Sequence, residues 1–190
     1  MSTGIAMRGL LTILGLTFVS LHAATLEYLS LDDMAKKSTA IVRGRVQSCA
    51  GEFRGSVIYT HCKVAVTEQW KGTAHSLVDV ATPGGTAKGM AQNFSGSPKL
   101  LQGEEYVLFL WTGKSGMTQV IGLSQGVFDL KADTPGQAKG QAMAQRAATT
   151  ERMLDAAGKV LSDSPLEMRV RDLKARVVKA LSSQPVVEWK

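Results

Sequence analysis

The sequence predicts a mainly β protein, a small closed barrel or sandwich of about five strands followed by an α-helical tail. Three observations predict this. Between residues 40 and 130, short apolar or alternating runs are separated by turns rich in Gly, Ser and Asn. Between residues 164 and 181 the apolar residues recur every three or four positions, the period of a helix. Between the two, residues 131–149 are rich in Ala, Gln and Gly with no clear period, as in a flexible linker.

The N-terminus bounds the folded part. Arg8 is the only charge before Gly9–Leu21, an uncharged apolar run, and the small residues Ala23 and Ala24 follow. A positive start, a short apolar core and small residues at a cleavage point make a secretory signal over residues 1–24. The run is shorter than the roughly 20 residues a spanning helix needs, so no stable membrane span is expected. The chain is therefore read as exported, to the periplasm or the extracellular space. Removal of the signal leaves about 166 residues, enough for one domain with its own core.

The chain carries 22 Lys and Arg against 16 Asp and Glu, a net charge of +6. The excess lies in the tail. Residues 25–136 hold 11 basic and 10 acidic side chains, residues 137–190 hold 10 and 6. A nucleic-acid-binding module concentrates Lys and Arg on the folded domain itself, so no nucleic-acid partner is expected. The two cysteines, Cys49 and Cys62, form an even pair that an oxidising compartment would join as a disulfide.

The elements follow in order. Ser30 can cap a short helix ending near Lys37, with Asp33 three residues on to answer the free N–H groups; Leu31, Met34 and Ala35 would face a core. Ala40–Gln47 and Val57–Trp70 read as two strands of a hairpin, with turn chemistry over Gly51–Ser56. Cys62 is in phase with the apolar face of the second strand, whereas Cys49 is out of phase with Val42 and Val46. A bulge at Gly44 or near Ser48 would bring the cysteines together. Leu77–Ala81 is a third strand, ended by a turn at Thr82-Pro83-Gly84-Gly85, and 86–99 is a long loop. Glu105–Trp111 is almost continuously apolar, which predicts burial on both faces. Residues 117–121 and 126–130 form one broken strand or two short ones around Gly122 and Gly126. A helix is expected over Thr150–Leu161. A second follows Ser164-Pro165-Leu166-Glu167, which offers a cap, a first-turn proline and an acidic third position. Leu166, Val170, Leu173, Val177 and Leu181 give that helix one apolar stripe, suited to packing on its own domain or docking on a partner.

The search for chemistry is short. His61 and His75 sit in no spaced metal motif, and no nucleophile elbow, phosphate loop or dinucleotide fingerprint occurs. No catalytic residue, metal ligand or cofactor is assigned, and the chain is read as non-enzymatic; the alternative is a small hydrolase with an unrecognised site, which needs His61 or His75 in a cleft with a nucleophile.

Three segments carry a family resemblance. Thr39–Val46 is similar to the first long strand of the netrin-like module of the tissue inhibitors of metalloproteinases. Val64–Gly72 resembles its second strand and closing Lys-Gly, and Gly103–Leu108 resembles its Gly-x-x-Tyr-Leu strand. The order of segments also resembles that of uncharacterised exported bacterial proteins. The resemblance covers roughly residues 38–130 and implies a five-stranded barrel of the oligonucleotide/oligosaccharide-binding (OB) type. Together with the signal, linker and helix patterns above, it divides the chain into a signal (1–24), an OB-like domain (25–130), a linker (131–149) and a helical tail (150–190). It implies binding without catalysis, through contact with another exported protein, in the narrower form a protease. Thr25, Glu27, Arg54, Pro83, Gly84 and Gly85 would form the contact surface. The inhibitors' zinc-chelating N-terminal Cys has no counterpart near Ala24 or Thr25, so zinc-chelating inhibition is not carried over.

Overall fold

The computed structural model describes residues 25–131 and 142–183. The expected signal, most of the expected linker (132–141) and the end of the tail (184–190) lie outside the described residues. The elements in chain order are β1 (Thr25–Glu27), α1 (Leu31–Lys37), β2 (Ala40–Arg54), β3 (Val57–Lys71), β4 (Leu77–Pro83), β5 (Gly85–Ala87), β6 (Met90–Gln92), β7 (Glu105–Thr112), β8 (Thr118–Val120), β9 (Val127–Lys131), β10 (Met143–Arg146), β11 (Arg152–Leu154), β12 (Val160–Leu161), β13 (Leu166–Arg169) and α2 (Val170–Ser182). The fold is mainly β with two helices, one of them C-terminal.

The largest sheet runs β13-β10-β9-β7-β2-β3-β4-β8, and β8 pairs with β7 as well as with β4. The pairings therefore pass from β7 through β2, β3, β4 and β8 and return to β7. Every join in that circuit is antiparallel except β4–β8, which is parallel and made at one residue pair, Ala81 with Gln119. Two smaller sheets, β1-β11-β12 and the hairpin β5-β6, flank it.

The long β2–β3 hairpin shows how local sequence sets global register. Register shifts fall at Ile41/Val42, Arg43/Gly44 and Val46/Ser48. The last inserts Gln47 as an extra residue and reverses the side-chain phase of β2, as a bulge does. Beyond it Cys49 lies directly opposite Cys62 and the two are joined as a disulfide, with Cα atoms 4.1 Å apart. Closing so short a loop contributes about 2–3 kcal/mol in the chain-entropy account.

Two apolar cores share β7 as their wall. Tyr106, Leu108 and Leu110 point inside the circuit and pack with Val42, Val46, Cys62, Val64, Val80 and Val120. Val107 and Phe109 point the other way, where Ile41, Phe128 and Ala144 meet the apolar faces of α1 and α2. Helix α1 carries the expected capping box of Ser30 and Asp33, and buries Leu31, Met34 and Ala35. Its C-terminal carbonyls are held by Lys71, whose ammonium donates to Ala35 O at 2.9 Å and Lys36 O at 2.8 Å. Burial pushes the Lys71 ammonium below its usual range. Gly72 follows with φ +88°, and a Cβ there would press on Thr39 O, so the Lys-Gly step is a requirement of α1 packing.

The tail differs from its sequence reading. Met143–Arg146, placed in the linker, is strand β10, paired with β9 on one side and β13 on the other. The helix expected over Thr150–Leu161 is instead β11 and β12, which extend the N-terminal strand. The Ser164–Glu167 signal does not start a helix: Leu166–Arg169 is a strand, and α2 begins at Val170 with no side-chain cap. A buried ion pair explains these departures. Arg146 donates to both carboxylate oxygens of Asp163 at 2.9 and 2.7 Å, and Asp163 also accepts the Thr149 N–H. Both side chains are almost wholly buried. Burial would raise the Asp163 carboxyl, but the bonds from Arg146 and Thr149 outweigh it and hold it below the usual range. The pair ties the end of β10 to the segment just before β13.

Helix α2 packs on its own domain. Val170, Leu173, Val177 and Ala180 are buried in the outer core. On its rim Lys174 donates to Glu68 at 2.7 Å and lies 5.9 Å from the centre of the Trp70 ring. Glu68 also accepts from Arg43 and Trp70. The Lys174 ammonium, aided by Trp70 and Arg43 and opposed by burial, pushes the Glu68 carboxyl down to about 2.

Two outcomes test this account. Asp163→Ala leaves Arg146 buried and unpaired, and is expected to lower unfolding stability by about 3–5 kcal/mol in urea. The double change Arg146→Met/Asp163→Leu should recover part of that loss; an unmoved midpoint in the single variant would remove the pair from the argument. For Glu68 the folded pKa lies below the unfolded value, so its contribution is complete above about 4.5 and is lost as pH falls towards 2. The pair is partly exposed, so the contribution is about 1 kcal/mol. Wild type and Glu68→Gln should therefore differ at pH 7 and converge towards pH 2; a gap independent of pH would rule out this electrostatic latch.

Candidate functional site

An apolar concave surface lies where β4 gives way to β5. Pro83, Pro98, Trp111, Ile121 and Leu123 line a groove of about 240 Å³. Across Thr82, Pro83 and Pro98 it joins a second cavity of about 310 Å³, walled by Gly84, Gly85, Gln92, Phe94 and Leu100. Trp111 is 47% exposed and Phe94 43%, so two large aromatic side chains stand in water at its edges.

Each wall has a local cause. The turn after β4 is pinned by side chains: Thr60 Oγ1 donates to Gly84 O at 2.7 Å, and Ser97 Oγ donates to Pro83 O at 2.6 Å. Gly85 holds φ +123°, and a Cβ there would fall on Thr60 Oγ1, so this position takes only glycine. Gln92 ties the β5–β6 hairpin to the β2–β3 turn, accepting from Ile58 N and donating to Ser56 O. The Trp111 indole lies over Gly113, where a Cβ would come within 3.0 Å of the ring.

Leu123 is the strained member. It holds φ +55°, directly after Gly122 at φ +61°. For a leucine this left-handed conformation costs about 1–2 kcal/mol, and it persists only where the surroundings impose it. Gln125 is the support: its buried Oε1 accepts from Leu29 N at 2.9 Å, and its Nε2 donates to Glu27 O and Gly122 O. The short 3-10 turn Leu123–Gly126 is thereby locked with Leu123 on the groove wall.

The expected contact residues divide among different places. Pro83, Gly84 and Gly85 line the second cavity together. Arg54 lies at the end of the β2–β3 hairpin and lines a separate cleft with His61, Asp79, Ser115 and Met117. Thr25 and Glu27 belong to β1, in parallel register with Arg152 and Leu154, and Glu27 accepts from Lys37 at 2.6 Å. Sequence reading missed Trp111, Phe94, Pro98 and Leu123. The available signal was Trp111 itself, a large aromatic closing a doubly buried strand just before Gly113.

The Arg54 cleft holds the one histidine–carboxylate pair found among the described residues. His61 Nδ1 lies 3.2 Å from Asp79 Oδ1, while Lys63 donates to Asp79 Oδ2 at 2.8 Å. Among the described residues no group of three or more His, Cys, Asp and Glu side chains is placed to hold a metal ion. No described helix is long and apolar enough to cross a membrane. No family model, curated protein or solved structure matches the chain.

Proposed function

We propose that the chain is an exported, non-catalytic binding module that acts by contact with another exported protein through the Trp111 groove. The observation that carries this reading is the groove itself. It is a preformed apolar channel edged by exposed Trp111 and Phe94 and held by a strained Leu123, and aromatic side chains over apolar pockets supply most of the energy of protein contacts. The circuit of pairings through β7, β2, β3, β4 and β8 supports an OB-like barrel as its scaffold. The disulfide and the leader-like N-terminus support export. A protease is the narrower partner class; no cofactor or nucleic acid enters the reading.

The test places a photo-crosslinking amino acid at Trp111 or, as control, at exposed Glu167 on β13, in cells that make the full chain. A discrete adduct is expected from position 111 alone, and Leu123→Asp should abolish it. Equal adducts from both positions, or none from 111, would reject the groove.

A second reading, a small hydrolase site, rests on one observation: His61, paired with Asp79, shares its cleft with Ser115. A hydrolase would release p-nitrophenol from p-nitrophenyl acetate about a hundredfold faster than a His61→Gln or Ser115→Ala variant does. The contact reading expects all three proteins to match one another.

A further inference from the structure

The circuit of strands is closed at one place by very little backbone pairing. Strand β4 runs from Leu77 to Pro83 and is paired with β3 from Leu77 to Pro83. On its other side it meets β8 only at Ala81–Gln119. Leu77, Val78, Asp79 and Val80 thus have a pairing neighbour on one side alone. Strands alternate the side to which their N–H and C=O groups point, so half the polar backbone of this stretch, about 13 Å long, faces away from β3. A closed sheet ordinarily abolishes such an edge, and an open one is ordinarily blunted by Lys, Pro or a bulge. None of these occurs in Leu77-Val78-Asp79-Val80, and Asp79, the sole charge there, is already engaged by His61 and Lys63. Leu77 is 47% exposed.

The edge opens into a cleft of about 370 Å³. Leu77, Val78 and Asp79 form one wall; Thr112 and Thr118, whose hydroxyls lie 2.9 Å apart across β7 and β8, form the other. Gln69 lines the same cleft, and its Oε1 is out of water with no donor, an acceptor left unmet at a cost of about 1–3 kcal/mol in general. An occupant that answers the open edge of β4 and the facing threonine hydroxyls carries N–H and C=O groups in alternation along an extended line. That is a polypeptide strand; a sugar could bond the threonines but has no repeat to match the backbone of β4.

We propose that the cleft between β4 and β8 accepts an extended segment of a partner protein, which adds to the open edge of β4 as a further strand. Main-chain hydrogen bonds to Leu77 and Asp79, the residues whose backbone faces away from β3, supply the affinity, and exposed Leu77 contributes the adjoining apolar contact. This site is distinct from the Trp111 groove and stands without it.

The probe is a displayed library of random dodecapeptides, selected on the processed protein, with an enriched peptide then made synthetically. Hydrogen exchange should show the amides of Leu77 and Asp79, which face away from β3, slowed about tenfold on peptide binding, and Trp111→Ala should leave affinity unchanged. N-methylating the peptide backbone at alternate positions should weaken binding about tenfold or more in one register and little in the other, the loss of one or two hydrogen bonds per position. Because the change is in the peptide, the protein's folding is untouched. The proposal is overturned if no peptide is enriched, if bound peptides leave the β4 amides unprotected, or if both N-methyl registers bind as well as the parent. Protection of the same amides by oligosaccharides and by no peptide would also overturn it. Loss of binding in Trp111→Ala would move the peptide to the groove and likewise refute the edge.

Discussion

The constraint on which the structure turns is the two-sided burial of β7. Tyr106 to Leu110 are five consecutive residues with almost no exposed surface, alternately inside the strand circuit and under the helices. Each such apolar side chain contributes about 1.5–3 kcal/mol by leaving water, and because the run faces both ways it is the wall that the two cores share. It also has three sheet neighbours. β2 occupies one edge along Glu105–Leu110, while β9 and β8 divide the other. That division forces the chain between β8 and β9 into the tight turn at Gly122–Gly126. The strained Leu123 and the Gln125 that holds it are consequences of a single strand edge serving two partners.

The same logic governs the disulfide. β2 must present Ile41 to the helices and Val42 and Val46 to the inner core, and then present Cys49 to Cys62. A strand of period two cannot do this in one register. Gln47 is the extra residue that resolves the conflict, so the bulge and the cross-link are one device. Beyond it the distal half of the hairpin is tied to β4 and to the β5–β6 hairpin through Gln92, which is how the second cavity acquires a fixed wall.

What was legible in the sequence follows from how local each signal is. The α1 capping box, the pairing of β2 with β3, the phase conflict at Cys49 and the doubly apolar β7 each depend on residues within one or two elements and stand in the structure; β2, read as ending at Gln47 before a turn over Gly51–Ser56, instead runs to Arg54, because Gly51–Arg54 pair with Val57–Thr60. The tail strands do not depend on so local a signal. Met143-Ala144-Gln145-Arg146 has neither β-branched residues nor alternation, and it is a strand because β9 offers an open edge and because Arg146 finds Asp163, 17 positions away. Ser164-Pro165-Leu166-Glu167 has sound helix-start chemistry, yet Leu166–Arg169 is taken by β10, and tertiary pairing overrides a local preference worth about 1 kcal/mol. The apolar stripe from Val170 to Val177 survived because it is used by the core directly.

The functional surface was the least legible for a related reason. The groove is built from β4, the segment near Pro98, the end of β7 and the turn at Leu123, none of which carries a recognisable motif by itself. Of the expected contact residues, Pro83 lines the groove and Gly84 and Gly85 the adjoining cavity, because glycine and proline mark places where backbone must turn sharply, and sharp turns between strands are where a β fold makes concave surface. Arg54 and Glu27 were grouped with them by position in a loop or at an end, a criterion with no geometry in it. Trp111 shows the more useful sign. An indole is large enough that burying it is the default, so leaving one exposed over a glycine, at the mouth of an apolar channel, retains surface that folding would otherwise have removed from water. Retained apolar surface beside a fixed cavity is therefore the feature on which the proposed contact rests.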